Sequence, residues 1–275
     1  MNKLSVIISV YNKLHELELI LTALEHQSFR DFDVIIADDG SGMEMKDFID
    51  KKRMESNLKI TQLWQEDKGF RKNKILNKSI TESKTDYLVF LDGDCLPHSD
   101  FVNEHYKNRS VNTVLCGSRV NMSKKLSEQI TIDVVQSKEY EKGMLGKIID
   151  SFRDKNRRST YVEEGIYIGS DIIHKIIRKR PRLVGCNFSV PKELMLKING
   201  FDENYNGPGV GEDSDIEFRL KLAGAEFESV RNKAIVYHFY HTHTKESKNN
   251  YAYFEKVKQS KLMVCRNGIK KLDKS

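Results

Sequence analysis

Tyr87-Leu88-Val89-Phe90-Leu91-Asp92-Gly93-Asp94 sets five apolar residues directly before two carboxylates. Residues 87–91 have the length and near-continuous apolar character of a strand buried on both faces, and the change to Asp-Gly-Asp marks its carboxyl end. The same signature recurs upstream. Leu4-Ser5-Val6-Ile7-Ile8-Ser9-Val10 runs into Tyr11-Asn12, and Asp33-Val34-Ile35-Ile36-Ala37 runs into Asp38-Asp39-Gly40-Ser41, with a third run from Leu58 to Leu63. Between them Leu14, Leu17, Ile20, Leu21 and Leu24 fall at helical spacing, a second helical stretch starts at Met43, and Ile75, Leu76 and Ile80 mark a third. Apolar strands alternating with amphipathic helices predict a parallel sheet covered on both faces and wound by right-handed crossovers over roughly the first hundred residues.

Downstream the pattern loosens. From Met122 to about Arg182 the chain is rich in Lys, Glu, Ser and Ile with weak helical periodicity. Strand character returns at Leu183 to Val190, followed by a helix opened by Pro191 and closed at Asn199-Gly200. A helix from about Glu212 to Leu222 is capped by Gly224, Ala234 to His238 reads as a strand, and a basic helix starts at about Asn250. These boundaries predict a nucleotide-binding half at 1–120, an acceptor-binding and catalytic half at 121–245 with a variable helical insert near 122–182, and a C-terminal basic helix at 246–275.

Composition narrows the class. With 275 residues, 39% hydrophobic and 31% charged, the chain has enough apolar surface for a sizeable core, so disorder is excluded. No apolar run reaches the roughly 18 residues of a membrane span, and Leu4–Val10 is too short for a signal peptide, which predicts a cytoplasmic protein. Cys95, Cys116, Cys186 and Cys265 lie too far apart for a zinc knuckle or redox pair. A net charge of +6 is too modest for a nucleic-acid binder.

In open α/β sheets ligands sit beyond the carboxyl ends of the strands, which directs attention to Tyr11-Asn12, Asp38-Asp39 and Asp92-Gly93-Asp94. Two carboxylates about 4 Å apart repel by roughly 4 kcal/mol at an effective dielectric of about 20, and a hard cation such as Mg2+ or Mn2+ removes that penalty. A second acidic cluster, Gly211-Glu212-Asp213-Ser214-Asp215, opens a helix, and His238, His241 and His243 follow the last strand.

With these clusters in this order, the sequence resembles the family 2 glycosyltransferases of GT-A fold, its C-terminal half being similar to the galactosyltransferase and chondroitin-polymerase type. The resemblance runs from Leu4 to about His243 and is weakest between Met122 and Arg182. It implies a Rossmann-like nucleotide-binding half with a mostly parallel central sheet, fused to an acceptor-binding half. It further implies an inverting, metal-dependent transfer from a UDP-sugar to a glycan acceptor of a bacterial surface polysaccharide or lipopolysaccharide. By the resemblance Val10 and Tyr11 pack against the base, Asp39 accepts from the uracil imide, and Asp38 holds the loop or touches the ribose. Arg71 in Gly69-Phe70-Arg71-Lys72-Asn73 reaches the nucleotide, with Lys74 a second cation. Asp92 and Gly93 face the ribose and metal, Asp94 ligates Mn2+ or Mg2+, and His238, or alternatively His241, completes the ligand set. Asp213 is the catalytic base and Glu212 holds the acceptor. Asn187 and Tyr205 line a sugar site, Tyr205 replacing a Trp common in relatives, and Trp64 packs near the nucleotide edge. A metal-binding imidazole must be neutral, so activity is expected to fall below about pH 6.5. The rival reading, a catalytically inactive glycan-binding or scaffold subunit, would be expected to lack Asp94 or Asp213.

Two basic clusters remain, Arg153, Lys155, Arg157 and Arg158, then Lys175, Arg178, Lys179, Arg180 and Arg182, the second interleaved with Ile172, Ile173, Ile176 and Ile177. Such a face fits anionic lipid headgroups, at about 1 kcal/mol per basic residue, and Lys256, Lys258, Lys261, Arg266, Lys270 and Lys271 could add to it. Peripheral contact with the inner face of the membrane and a lipid-linked acceptor are the matching expectations.

Overall fold

The computed structural model describes residues 3–142, 160–177, 180–242 and 247–272. Arg153, Lys155, Arg157, Arg158, Arg178, Lys179 and His243 lie outside the described residues. Strands β1 (Leu4–Val10), β2 (Phe32–Asp38), β3 (Lys59–Trp64) and β4 (Tyr87–Asp92) form a parallel block in the order β3-β2-β1-β4. The connecting helices are Leu14–Glu25, Met43–Glu55 and Lys72–Glu82. Every residue of β2 is buried, as a strand covered on both faces requires. The register pairs Ser9 with Asp92, Val10 with Asp38, and Asp38 with Trp64. All four strands therefore end level, and their polar termini meet along one edge.

Six more strands follow: β5 (Cys95–Pro97), β6 (Thr113–Cys116), β7 (Ser118–Asn121), β8 (Asn187–Pro191), β9 (Glu226–Ser229) and β10 (Ile235–His238). β8 joins the main sheet antiparallel to β4, and the full order is β3-β2-β1-β4-β8-β6-β9. The predicted halves thus share one sheet and one core, in which Ile7, Ile35 and Phe90 pack in the same cluster as Phe188, Ile216 and Leu220. The strand expected from Leu183 starts only at Asn187, because a turn closed by Asn187 N–H donating to the Val184 carbonyl at 2.9 Å takes up the preceding residues. The helix Lys248–Ser260 follows at the C-terminus. No helix among the described residues is long and apolar enough to cross a membrane.

β5, β10 and β7 make a second, three-stranded sheet. It is fastened to the first by the fully buried Asn187, whose Nδ2 donates to the Ser118 carbonyl at 2.7 Å and the Ala234 carbonyl at 2.9 Å, at the starts of β7 and β10. Its Oδ1 lies 3.0 Å from His105 Nε2, and His105 Nδ1 lies 2.8 Å from the Ser189 hydroxyl. The backbone at Gly117 approaches so closely that a Cβ there would lie 2.2 Å from Asn187 Oδ1. The segment after β7 is closed at its base, because Asn121 and Thr160 exchange two backbone hydrogen bonds of 3.0 Å.

His105 is fully buried, and that burial pushes its imidazole down to about 4. An unfolded chain takes up this proton near pH 6.5 while the folded one refuses it until about pH 4, so the folded state loses stability as pH falls between those values. The loss saturates at about 3 kcal/mol. His105→Gln, which keeps donor and acceptor but cannot titrate, should show less acid destabilisation than wild type in urea unfolding at pH 7.5, 6, 5 and 4. Parallel curves for the two proteins would contradict this account.

Candidate functional site

The level strand ends open into a cleft of about 520 Å3 lined by residues of both sheets. The Asp92-Gly93-Asp94 turn bisects it, and there the expectation of two like-pointing carboxylates fails. Asp92 Oδ1 accepts from the Ser9 hydroxyl at 2.7 Å and pairs with Lys72 Nζ at 2.7 Å. Asp94 turns instead to Lys13 Nζ at 3.0 Å, His238 Nε2 at 3.5 Å and His241 Nε2 at 3.5 Å. The two carboxylates are thus neutralised separately, each by its own lysine ammonium. Gly93 makes this possible by lying against β1: its N–H donates to the Ser9 carbonyl at 2.7 Å, and a Cβ would sit 2.8 Å from that oxygen.

His238 and Asp94 hold the protonation states of metal ligands at neutral pH. Burial pushes the His238 imidazole down to about 4, against the pull of Asp94. Burial also opposes ionisation of Asp94, but its imidazole neighbours and the Lys13 ammonium, which donates to Oδ2, hold this carboxyl below its usual range. The expected loss of imidazole ligation below pH 6.5 is therefore corrected, since a desolvated His238 stays neutral well below that value. A neutral nitrogen and an ionised oxygen 3.5 Å apart fit a divalent cation.

Across the cleft, Lys72 Nζ also contacts Glu212 Oε1 at 2.7 Å, bridging β4 to the helix Glu212–Leu222. Burial works against the Lys72 charge, yet Asp92 and Glu212 raise its ammonium well above the ordinary value. Burial raises the Glu212 carboxyl, with Lys72 opposing it. Asp213, one residue on, is half-buried and accepts from the backbone and hydroxyl of Ser214, and unlike Glu212 it does not line the cleft.

The nucleotide-side residues are brought together as well. Val10, Tyr11, Asp39, Asp92 and Gly93 all line the cleft. Tyr11 is half exposed and donates to Asp67 Oδ2 at 2.9 Å. Asp39 accepts from Gln65 Nε2 and from the Arg71 N–H at 2.8 Å, and burial raises its carboxyl. Asp38, fully buried, accepts from the Ser41 N–H at 2.8 Å and so holds its loop. Trp64 donates to the Ser41 carbonyl at 3.0 Å on the same loop.

Other expectations do not hold. Arg71 does not line the cleft, because its guanidinium turns to the Glu66 carbonyl, and Lys74 is exposed. Lys72 takes the inward place: it opens the helix and shares a face with Ile75, Leu76 and Ser79, a three-and-four spacing legible in the sequence. Lys13, just after β1, was missed likewise. Asn187 is the buried fastener between the sheets and touches no cleft, so it cannot line a sugar site. Tyr205 is excluded too, being 2% exposed with its hydroxyl on Asp215 and its ring edge-on to Tyr253.

The family model for glycosyl transferase family 2 matches residues 5–170. The chain belongs to that family. A second model, the N-terminal domain of galactosyltransferase, matches residues 174–242. Chondroitin synthase of Escherichia coli is 27% identical over 246 residues, 86% of this chain and 34% of that protein. This family 2 glycosyltransferase therefore spans about a third of that relative's length. The crystal structure of Staphylococcus aureus TarS 1–349 in complex with UDP covers 94% of this chain and 65% of its own, with a TM-score of 0.59 and 17% identity. The crystal structure of GalNAc-T7 with UDP, GalNAc and Mn2+ covers 94% and 48%, with a TM-score of 0.62 and 13% identity. The fold is GT-A.

Removing one member of a buried ion cluster strands the others. Lys72→Met should lower unfolding stability in urea by about 3 kcal/mol, whereas Lys74→Met should change it by less than about 0.5 kcal/mol. Equal, small effects would mean that the Lys72 bridge contributes nothing.

Proposed function

We propose that this glycosyltransferase moves a sugar from a UDP-sugar to a glycan acceptor by an inverting, metal-dependent displacement, in the synthesis of a bacterial surface polysaccharide or lipopolysaccharide. The observation that carries this reading is the convergence of Asp94 with His238 and His241, in one cleft with Tyr11, Asp39 and Glu212. The named activity of the chondroitin synthase and the UDP bound in the TarS structure support the donor and product class.

In this reading Tyr11 and Val10 pack on the base and Asp39 receives its imide N–H, after exchanging one of its present partners. Asp94 and His238 would hold Mn2+ or Mg2+, with His241 the alternative nitrogen. A divalent cation there supplies positive charge where the leaving diphosphate gathers negative charge. Lys13, beside Asp94, adds to the same field. Asp213 takes the proton of the acceptor hydroxyl as its oxygen attacks the anomeric carbon and the bond to the diphosphate breaks on the opposite face. One displacement inverts the configuration. Glu212, fixed by Lys72, orients the acceptor.

Calorimetry of UDP with Mn2+ and then with chelator tests the donor site, and equal affinity in both would end the metal assignment. Asp213→Asn should lower turnover by at least about a hundredfold with donor affinity nearly unchanged. Near wild-type turnover would require another base, while binding without turnover in the wild-type protein, across donors and acceptors, would favour an inactive glycan-binding subunit.

We also infer peripheral contact with the inner face of the membrane and a lipid-linked acceptor. On the helix Asp171–Ile177, Ile172, Ile173, Ile176 and Ile177 are all at least half exposed, beside exposed Lys175, Arg180 and Arg182. Wild-type protein should sediment with phosphatidylglycerol vesicles more than with phosphatidylcholine vesicles, and the double variant Ile172→Asp, Ile176→Asp should lose at least tenfold of that binding. Unchanged sedimentation would remove the membrane from the proposal.

A further inference from the structure

The residue after the metal-facing Asp94 is Cys95, fully buried at the start of β5. β5 runs antiparallel to β10, and the register sets Cys95 directly opposite His238. Residues directly opposite in an antiparallel pair project from the same face of the sheet. Cys95 Sγ lies 3.6 Å from Asp94 Oδ1, the same oxygen that is 3.5 Å from His238 Nε2. The sulfur, the oxygen and the nitrogen all lie within 4.8 Å of one another. Donor atoms that share one ion at about 2.0–2.3 Å stand about 3–4 Å apart, so little movement converts this cluster into a ligand set.

We infer that Cys95 is a sulfur ligand of the cation held by Asp94 and His238, and that it raises the affinity of the site for borderline ions such as cobalt and zinc above that of a site with oxygen and nitrogen donors alone. The inference rests on the metal reading above and adds to it the identity of a donor and the selectivity that follows. Thiolate is a soft ligand, and mixed oxygen, nitrogen and sulfur sets favour borderline and soft ions over hard ones. On binding, the Cys95 sulfur–hydrogen bond breaks, the sulfur electron pair forms the bond to the metal, and the proton leaves to solvent. No oxidant or reductant is involved.

Cys186, the neighbouring sulfur, does not cluster with Asp94 and His238 as Cys95 does, and its Sγ lies instead 4.0 Å from Arg119 Nη1. That difference selects the controls. The nucleotide-free chain is titrated with Co2+ and followed by absorbance. Wild type should develop an intense near-ultraviolet thiolate-to-cobalt band, Cys186→Ser should keep it, and Cys95→Ser should lose it with cobalt affinity reduced at least tenfold. Manganese affinity should change less than cobalt affinity in Cys95→Ser. X-ray absorption of zinc-loaded wild type should give a sulfur scatterer at about 2.3 Å, a measurement that needs no variant. Cobalt bound in wild type without a sulfur band, a band that survives Cys95→Ser, or a zinc shell of light atoms alone each overturns the inference while leaving Asp94 and His238 as ligands. Failure to bind any cobalt overturns both.

Discussion

The ammonium of Lys72 sits between two carboxylates that the chain order keeps 120 residues apart, Asp92 at the end of β4 and Glu212 at the start of a late helix. The cleft depends on that arrangement. Carboxylates from several strand ends and a helix N-terminus converge there, and in a partly desolvated space their mutual repulsion would push the two parts of the chain apart. Lys72 on one side and Lys13 on the other divide the negative charge into separately neutralised groups. The cleft therefore holds its shape through ion pairs within the chain itself.

The second constraint is positional. Asp94 leaves β4 and belongs to the turn into β5, whereas His238 ends β10, and the two meet only because β5 and β10 pair. Asn187 fixes the small sheet that contains both strands to the large one, using carbonyls at the starts of β7 and β10. His105 lies against its Oδ1, and the backbone at Gly117 approaches it so closely that any side chain there would collide with it. The geometry of the Asp94 and His238 pair is thus set through the small sheet that Asn187 fastens, and burial keeps the imidazole neutral beside an ionised carboxylate.

What could be read in the sequence follows from locality. β1, β2 and β4 were legible because strands buried on both faces are written as unbroken apolar runs, and the acidic or polar residue that ends each run announces the ligand edge. Asp94 and the histidines were legible as residue types in a motif, but their meeting depends on a strand pairing between positions 95 and 238 that no local pattern encodes. The same limit explains the errors. Asn187 and Tyr205 are polar or aromatic residues near acidic motifs, and only the packed structure tells a polar residue that satisfies buried carbonyls from one that faces a ligand. Arg71 and Lys72 are adjacent cations, and a rotation of one residue on the helix decides which enters the cleft. There the apolar spacing of Ile75 and Leu76 held the answer.

The stapled base formed by Asn121 and Thr160 makes the intervening segment a cassette. Its two ends are held side by side by two backbone hydrogen bonds and by Asn121 Nδ2 donating to the Thr160 hydroxyl at 2.8 Å, while Met122, Ile130, Val135 and Tyr140 within it are buried in the core. A loop closed in this way can lengthen at small entropic cost, about 0.6 kcal/mol per doubling. For an engineer, an insertion in this stretch leaves the strand registers intact provided it spares the buried Met122, Ile130, Val135 and Tyr140.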